Sequence, residues 1–214
     1  VFGGEGNDTI TVAATNGSTV YLSGDKGNDI ITATGLTTGG SVFGGEGIDT
    51  ITVSGAAAGD DFAIDAGVGA DAVTVGLGTD TITFSRGDSV AATSTTFAGT
   101  TVTDADTIVF GNGVDTITGF TTGTDEIDVD ITVPGALTTV TNATVLGANI
   151  ATGNIIEIQG TLTGNSFAVD IATGPGADFL YIVGAGNQPL STTLNTTTNA
   201  FVSVGAQLAI GDFA

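Results

Sequence analysis

A phrase built on glycine and aspartate returns along the first half of this chain. Residues 1–10 read V-F-G-G-E-G-N-D-T-I, 22–31 read L-S-G-D-K-G-N-D-I-I, and 42–51 read V-F-G-G-E-G-I-D-T-I. The shared core is G-[GD]-x-G-x-D-x-I, and each part has a physical job. Glycine lets the backbone turn through conformations closed to other residues and exposes carbonyl oxygens. Aspartate supplies a hard anionic oxygen, and the isoleucine two places later points into a core. A phrase that joins turn, ligand and core within nine residues, and then repeats, predicts a stacked solenoid with calcium chemistry in its loops.

The spacing is regular. Asp8, Asp29, Asp49 and Asp71 lie 21, 20 and 22 residues apart, while Asp71 to Asp80 and Asp106 to Asp115 are each nine. Two nine-residue halves make one coil, so intervals of 20–22 predict one full coil with a slightly enlarged second half. Thr9–Val12, Ile30–Thr32, Thr50–Val53 and Ala72–Val75 alternate polar and apolar residues and read as one set of strands. Thr19–Leu22, Ser41–Phe43 and Phe62–Ile64 read as the opposite set. Residues 85–103 break the register and read as an insertion loop, after which 104–120 reads as a second pair of nonapeptides.

Past residue 130 the character changes. Residues 1–130 hold 19 of the 23 acidic residues, and beyond them come longer apolar runs at 155–158, 167–171 and 179–183. These predict a β-rich cap over 131–214 closing the end of the solenoid, because stacked repeats leave a core exposed at their ends. Residues 188–200 read as an exposed loop.

Composition narrows the function. Lys26 and Arg86 are the only cations against 23 acids, a formal charge of −21, which excludes nucleic-acid binding by phosphate neutralisation. Hydrophobic residues make up 41% of the chain, and the mean hydropathy is +0.40, so the charge belongs to a folded protein neutralised by bound cations and not to a disordered one. With neither His nor Cys, zinc sites, serine or cysteine triads and disulfides are excluded within this chain. No run of 18 apolar residues predicts a membrane span. The lack of Met predicts a processed form or a piece of something longer.

Asp8, Asp29, Asp49 and Asp71 are the first candidate ligands, with the loop glycines Gly3, Gly6, Gly24, Gly27, Gly44 and Gly47 supplying turns and carbonyls. In a parallel solenoid equivalent residues stack ~4.8 Å apart. At an effective dielectric of about 20, two carboxylates so placed repel by roughly 3 kcal/mol. Calcium between adjacent loops converts that penalty into oxygen contacts. The alternative is an ordinary Asp-Gly turn on a solvated edge, and recurrence with glycine at fixed offsets favours calcium. Asp80 and Asp115 keep part of the glycine frame, and Asp106 keeps none. Asp60, Asp61 and Asp65 either complete sites on the opposite edge or serve as turn and surface residues. Glu5 and Glu46 sit where a backbone carbonyl is the expected ligand. Asp125, Glu126, Asp128 and Asp130 read as a solvated strand end, and Asp178 as a degenerate echo of the phrase. Nearly every carboxylate belongs to the repeat and aromatic residues are few, so no acid–base pair for glycoside hydrolysis stands out, and the chain is not expected to be an enzyme.

The phrases G-G-E-G-N-D-T-I-T at 3–11 and G-G-E-G-I-D-T-I-T at 44–52 resemble the repeats of the RTX (repeats-in-toxin) family of bacterial exported proteins. Asp115-Thr116-Ile117-Thr118-Gly119-Phe120 followed by Gly123-Thr124-Asp125-Glu126-Ile127-Asp128 is similar to the element that follows those repeats in many members. The ending, Val204 to Ala214, is similar to the C-termini of surface-layer-like members that leave by type I secretion. The resemblance implies several calcium ions shared between neighbouring loops and an uncleaved C-terminal secretion signal within 131–214.

These readings define an all-β expectation: a right-handed parallel β-roll, or β-solenoid, over 1–130 with calcium-binding Gly/Asp loops and a C-terminal β-rich cap. The leading functional expectation is a calcium-dependent structural protein of the bacterial cell surface, self-associating into a surface layer or extracellular fibre. Two others stand beside it. One is a folding and secretion module of a larger exoprotein. The other is an adhesin that binds a cell-surface glycan or ice, suggested by regular threonines that also simply suit strands.

Overall fold

The computed structural model describes residues 1–13, 17–55, 59–85, 87–88, 93–96, 101–111, 113–129, 136–140, 144–145, 154–171, 178–184 and 199–214. The chain winds as a parallel β-solenoid. Its rising strands are β1 (Phe2–Glu5), β2 (Thr9–Ala13), β3 (Val20–Lys26), β4 (Ile30–Leu36), β5 (Gly40–Glu46), β6 (Thr50–Gly55), β7 (Phe62–Val68), β8 (Ala72–Thr74) and β9 (Thr81–Phe84). Odd and even strands alternate between two facing sheets, so each coil contributes one strand to each. An excursion follows with β10 (Thr93–Thr95), β11 (Thr101–Val102) and β12 (Thr107–Phe110), after which β13 (Asp115–Thr118) and β14 (Glu126–Val129) complete the roll. The first sheet runs β1-β3-β5-β7-β9-β14; in the second, β13-β8-β6-β4-β2 are neighbours.

Alternation within each strand makes the core. In the second sheet Ile10, Ile31, Ile51, Val73 and Ile117 stand in register, one per coil. Leu22, Val42, Ile64, Ile82 and Ile127 do the same in the first. All ten are buried, and each contributes about 1.5–3 kcal/mol of burial relative to exposure. In the second sheet their outward neighbours are mostly threonines; Thr11, Thr32, Thr52, Thr74 and Thr118 form one continuous row.

The cap is built by β15 (Ala136–Thr139), β16 (Thr144–Val145), β17 (Asn154–Thr163), β18 (Ser166–Val169), β19 (Asp178–Gly184) and β20 (Asn199–Val204). β20 lies parallel against β13 and antiparallel against β19, so the cap prolongs the second sheet. Ile155, Tyr181 and Val183 face the roll core, while Ile156, Ile158, Leu180 and Ile182 join Ile108, Phe110 and Phe167 in a second core behind it. On the other sheet the C-terminus closes the end: Phe213 bridges to Ile127, and the Ala214 N–H donates to the Ile127 carbonyl at 2.9 Å. Glu157, fully buried between the layers, accepts from Tyr181 Oη (2.8 Å) and Gln207 Nε2 (2.9 Å). Among the described residues no helix is long and apolar enough to cross a membrane.

The structure differs from the sequence expectation at the excursion, which runs from Ser85 to Val114 and not to residue 103. The nonapeptide pattern over 104–120 predicts that β12 resumes the roll. Instead it pairs antiparallel with β10 and β18. Its alternation buries Ile108 and Phe110 as a roll strand would. Alternation specifies which side of a strand is buried and leaves its partner to long-range packing. Residues 86, 89–92 and 97–100 of the expected insertion loop lie outside the described residues, as do 188–198 of the expected C-terminal loop and Asp130.

Candidate metal centre

Each glycine phrase ends a strand of the first sheet and crosses the edge of the roll in three residues. Gly27-Asn28-Asp29 and Gly47-Ile48-Asp49 are such crossings, and their amides tie one coil to the next: Gly27 N–H donates to the Glu46 carbonyl and Gly47 N–H to that of Val68, both 2.8 Å. Gly27 and Gly47 hold φ of +128° and +141°, and a Cβ at either would strike the backbone of the preceding coil. Only glycine lets the loops nest this closely, and nesting brings aspartate over aspartate.

Five aspartates thereby form one column. Asp8 N–H donates to Asp29 Oδ1 (2.7 Å), Asp29 N–H to Asp49 Oδ1 (2.8 Å), Asp49 N–H to Asp71 Oδ1 (2.7 Å) and Asp71 N–H to Asp115 Oδ1 (3.0 Å). From Asp29 onward, one oxygen of each carboxylate is thus held by the amide of the coil before it. The other is not: Oδ2 of Asp8, Asp29, Asp49 and Asp71 is buried without a hydrogen-bond partner. These oxygens converge with glycine-loop carbonyls. A methyl placed on Gly3 would lie 2.8 Å from Asp8 Oδ2 and 2.7 Å from the Gly24 carbonyl oxygen. On Gly24 it would lie 2.6 Å from the Gly44 carbonyl oxygen and closer still to Asp29 Oδ2; on Gly44 the same pair is Asp49 Oδ2 and the Ala66 carbonyl. Two acceptors therefore face each other across every such step, with no donor between them.

The electrostatics follow. Burial raises Asp71 to about 8, reinforced by the charges of Asp115, Asp49 and Asp88 and opposed by the Asp49 N–H. Asp49 is raised as well, by burial first and by Asp29 after it.

The opposite edge carries a second, shorter column. Asp80 Oδ1 accepts from Phe62 N–H (2.9 Å), and Asp80 N–H donates to Asp125 Oδ1 (3.0 Å), whose Oδ2 accepts from Thr121 N–H (2.7 Å). Asp80 Oδ2 is buried without a partner, and burial, with Asp125 and Asp61 nearby, raises this residue to about 6. Asp60 is fully buried two residues ahead of Phe62. Asp61 is exposed, and Asp65 accepts from Gly67 N–H (3.1 Å) on the outer face of β7.

The nine-residue interval from Asp71 to Asp80 therefore joins opposite edges, and Asp115 belongs with Asp71. Asp106 joins neither column; it ties an exposed turn, accepting from Thr103 N–H (2.7 Å), Thr103 Oγ1 and Thr96 Oγ1. Asp178 accepts from Leu162 N–H (2.8 Å) within the cap. Glu46 is exposed and lies 3.9 Å from Lys26, while Glu5 and Asp128 are exposed. The residue that sequence reasoning misses is Asp125, which reads as part of a solvated strand end and is in fact 3% exposed. The signal is present: Gly78-Thr79-Asp80-Thr81-Ile82 and Gly123-Thr124-Asp125-Glu126-Ile127 share G-T-D-x-I.

Among the described residues no three acidic side chains gather at one point. The carboxylates are strung one per coil, so a cation would take one or two of them and otherwise backbone carbonyls. That donor set, all oxygen with carboxylates among neutral carbonyls, suits a hard divalent ion such as calcium and not a soft one. Compared with known proteins, the chain matches no family model and no curated protein.

Proposed function

We propose that this chain is a calcium-loaded structural protein of the RTX type, a subunit or C-terminal part of an extracellular surface layer or fibre, and that it is not an enzyme. One observation carries the reading: the column of buried Oδ2 oxygens of Asp8, Asp29, Asp49 and Asp71, each without a donor, with the carbonyl of the next coil beside the first three. Buried charges of one sign need pairing or a metal. The same four aspartates, with Asp80 on the other edge and the carbonyls of Gly24, Gly44 and Ala66, would hold the ions. Calcium when bound supplies positive charge and ties successive coils together.

The structural role is supported by how the polar groups are used. The aspartates at the edges of the roll stack in two columns, and the buried acids of the cap hold its layers and the C-terminal segment together. A chain of charge −21 with two basic residues also repels another copy of itself, and cations between the copies would offset that repulsion.

Sedimentation velocity tests both parts. In chelator the chain is expected to be slow and expanded. In millimolar calcium, and not in magnesium, it is expected to become compact and then assemble into very large species. A compact monomer with calcium would sink the assembly reading, and indifference to calcium would sink the metal reading.

A further inference from the structure

A groove of about 290 Å³ crosses the outer face of the first sheet at the entries of β5, β7 and β9, with Thr19, just ahead of β3, at its end. Its floor is small, with Ser41 opposite Ala63 and Ala63 opposite Thr81. Its wall at the strand entries holds Thr38, Asp61 and Thr79, and the Asp61 carboxylate is fixed there by accepting from Thr79 N–H at 2.8 Å. Tyr21 lies outside the lining but stands opposite Ser41 on β3, and so borders the groove. Phe43, two residues beyond Ser41 on the same strand, shares that face. The Tyr21 ring centroid lies 5.2 Å from Phe43 and 5.6 Å from Phe2.

Two independent features thus meet on one face. The first is a ladder of aromatic rings on the solvent side, Phe2 68% and Tyr21 52% exposed. The roll does not need them for its core, since Leu22 and Val42 on β3 and β5 supply it. The second is a groove rich in hydroxyls with a single carboxylate. An aromatic face offers an apolar surface with a quadrupole, and hydroxyls with a carboxylate at the rim offer acceptors and donors for an edge of hydroxyl groups. A ligand with one C–H face and a rim of hydroxyls satisfies both. The groove's lining has no basic residue, and the chain's charge repels anions. Its volume is at the low end for small-molecule sites, roughly 300–1,000 Å³, enough for one or two sugar rings.

We propose that this groove is a binding subsite for a neutral hexopyranose unit of a glycan, with Tyr21 as the stacking platform and Asp61 as the hydroxyl acceptor. The site requires the folded roll and is independent of the assembly reading.

The test uses the whole chain in calcium, its β-structure verified by far-UV circular dichroism, with cellohexaose, maltohexaose and chitohexaose as probes. The chain has two tyrosines and no tryptophan, and Tyr181 is fully buried, so a change in tyrosine emission on adding a sugar reports on Tyr21. At least one hexasaccharide is expected to change that fluorescence with a dissociation constant on the order of 1 mM, confirmed by titration calorimetry. Tyr21→Ala and Asp61→Asn should each weaken binding about tenfold, equivalent to about 1.4 kcal/mol. Tyr21→Phe should retain it, and Ile30→Ala on the opposite sheet should leave it unchanged. All of these variants are at exposed positions and are expected to fold. No response to any of the three sugars, or undiminished binding by Tyr21→Ala, would overturn the proposal.

Discussion

Asp29 and Asp49, in the longer column, each do two jobs with two oxygens. Oδ1 completes the backbone of the neighbouring coil, and Oδ2 is left facing carbonyls, so the first glycine of each phrase has no room for a side chain. Gly24→Ala would push a methyl against Asp29 Oδ2 and the backbone of Gly44. It should destabilise the folded protein by about 1–3 kcal/mol, the usual cost of overpacking, as read from its denaturation midpoint. The loop tips carry a second ladder: Asn7 Oδ1 accepts from Asn28 N–H and Asn28 Oδ1 from Ile48 N–H, each at 3.0 Å. Ile48 breaks it and is 52% exposed. Ile48→Asn should extend the ladder toward Ala70 and raise stability by about 0.5–1.5 kcal/mol in chemical denaturation; a drop would show that the ladder contributes nothing.

Strand by strand, the roll is held by the inward rows and is indifferent to most of the outward ones. Ile51 is fully buried in β6, between Ile31 and Val73. Ile51→Ala should cost about 2–5 kcal/mol. Ile30 stands one place from Ile31 on β4 but faces out and is 50% exposed, so Ile30→Ala should change stability by less than about 0.5 kcal/mol. Equal effects in thermal melts would contradict this register of inward and outward rows. In the cap the informative groups are polar. Burial raises Asp212, but hydrogen bonds from Thr122 Oγ1, Ala209 N–H and Gly123 N–H outweigh it and hold the carboxyl below its ordinary value. That contact fastens the C-terminal segment to the loop that carries Asp125.

For the molecule as a whole, the columns set how stability depends on pH. Asp71 and Asp80 have folded values of about 8 and about 6 against an ordinary 3.8, and Asp49 is shifted the same way. Without metal, the folded state therefore holds protons that the unfolded chain has released. The stabilisation is complete below about pH 4 and is lost as the pH rises through 6 to 8. In chelator the chain, expanded at about pH 8.5, should gain β-structure and compactness as the pH is lowered to about 5, as followed by far-UV circular dichroism. If the columns hold calcium as proposed, the ion would take the place of those protons, and its stabilising effect should be largest at the higher pH, adding roughly 2.7 kcal/mol per independent site at a hundredfold excess over the dissociation constant. β-Structure in chelator that grows as the pH rises would show that the columns are not buried carboxylates of this kind.

The repeat alone determined the solenoid, its coil length, its inward isoleucines and the column from Asp8 to Asp71. All of these follow from residues a fixed number of positions apart, where turn chemistry and strand alternation act locally. Tertiary structure decided what depends on distant partners. Asp115 meets Asp71 across 44 residues because the excursion leaves the roll and returns in register. Asp106, in a segment of the same alternation, goes to the cap because β18 offers β12 an antiparallel edge. Asp125 is buried because Asp80, 45 residues earlier, brings its amide to it. The groove beside Tyr21 exists only once β5, β7 and β9 from successive coils lie side by side. A local pattern says which face of a strand turns inward, and only the stacking of coils says what that face meets.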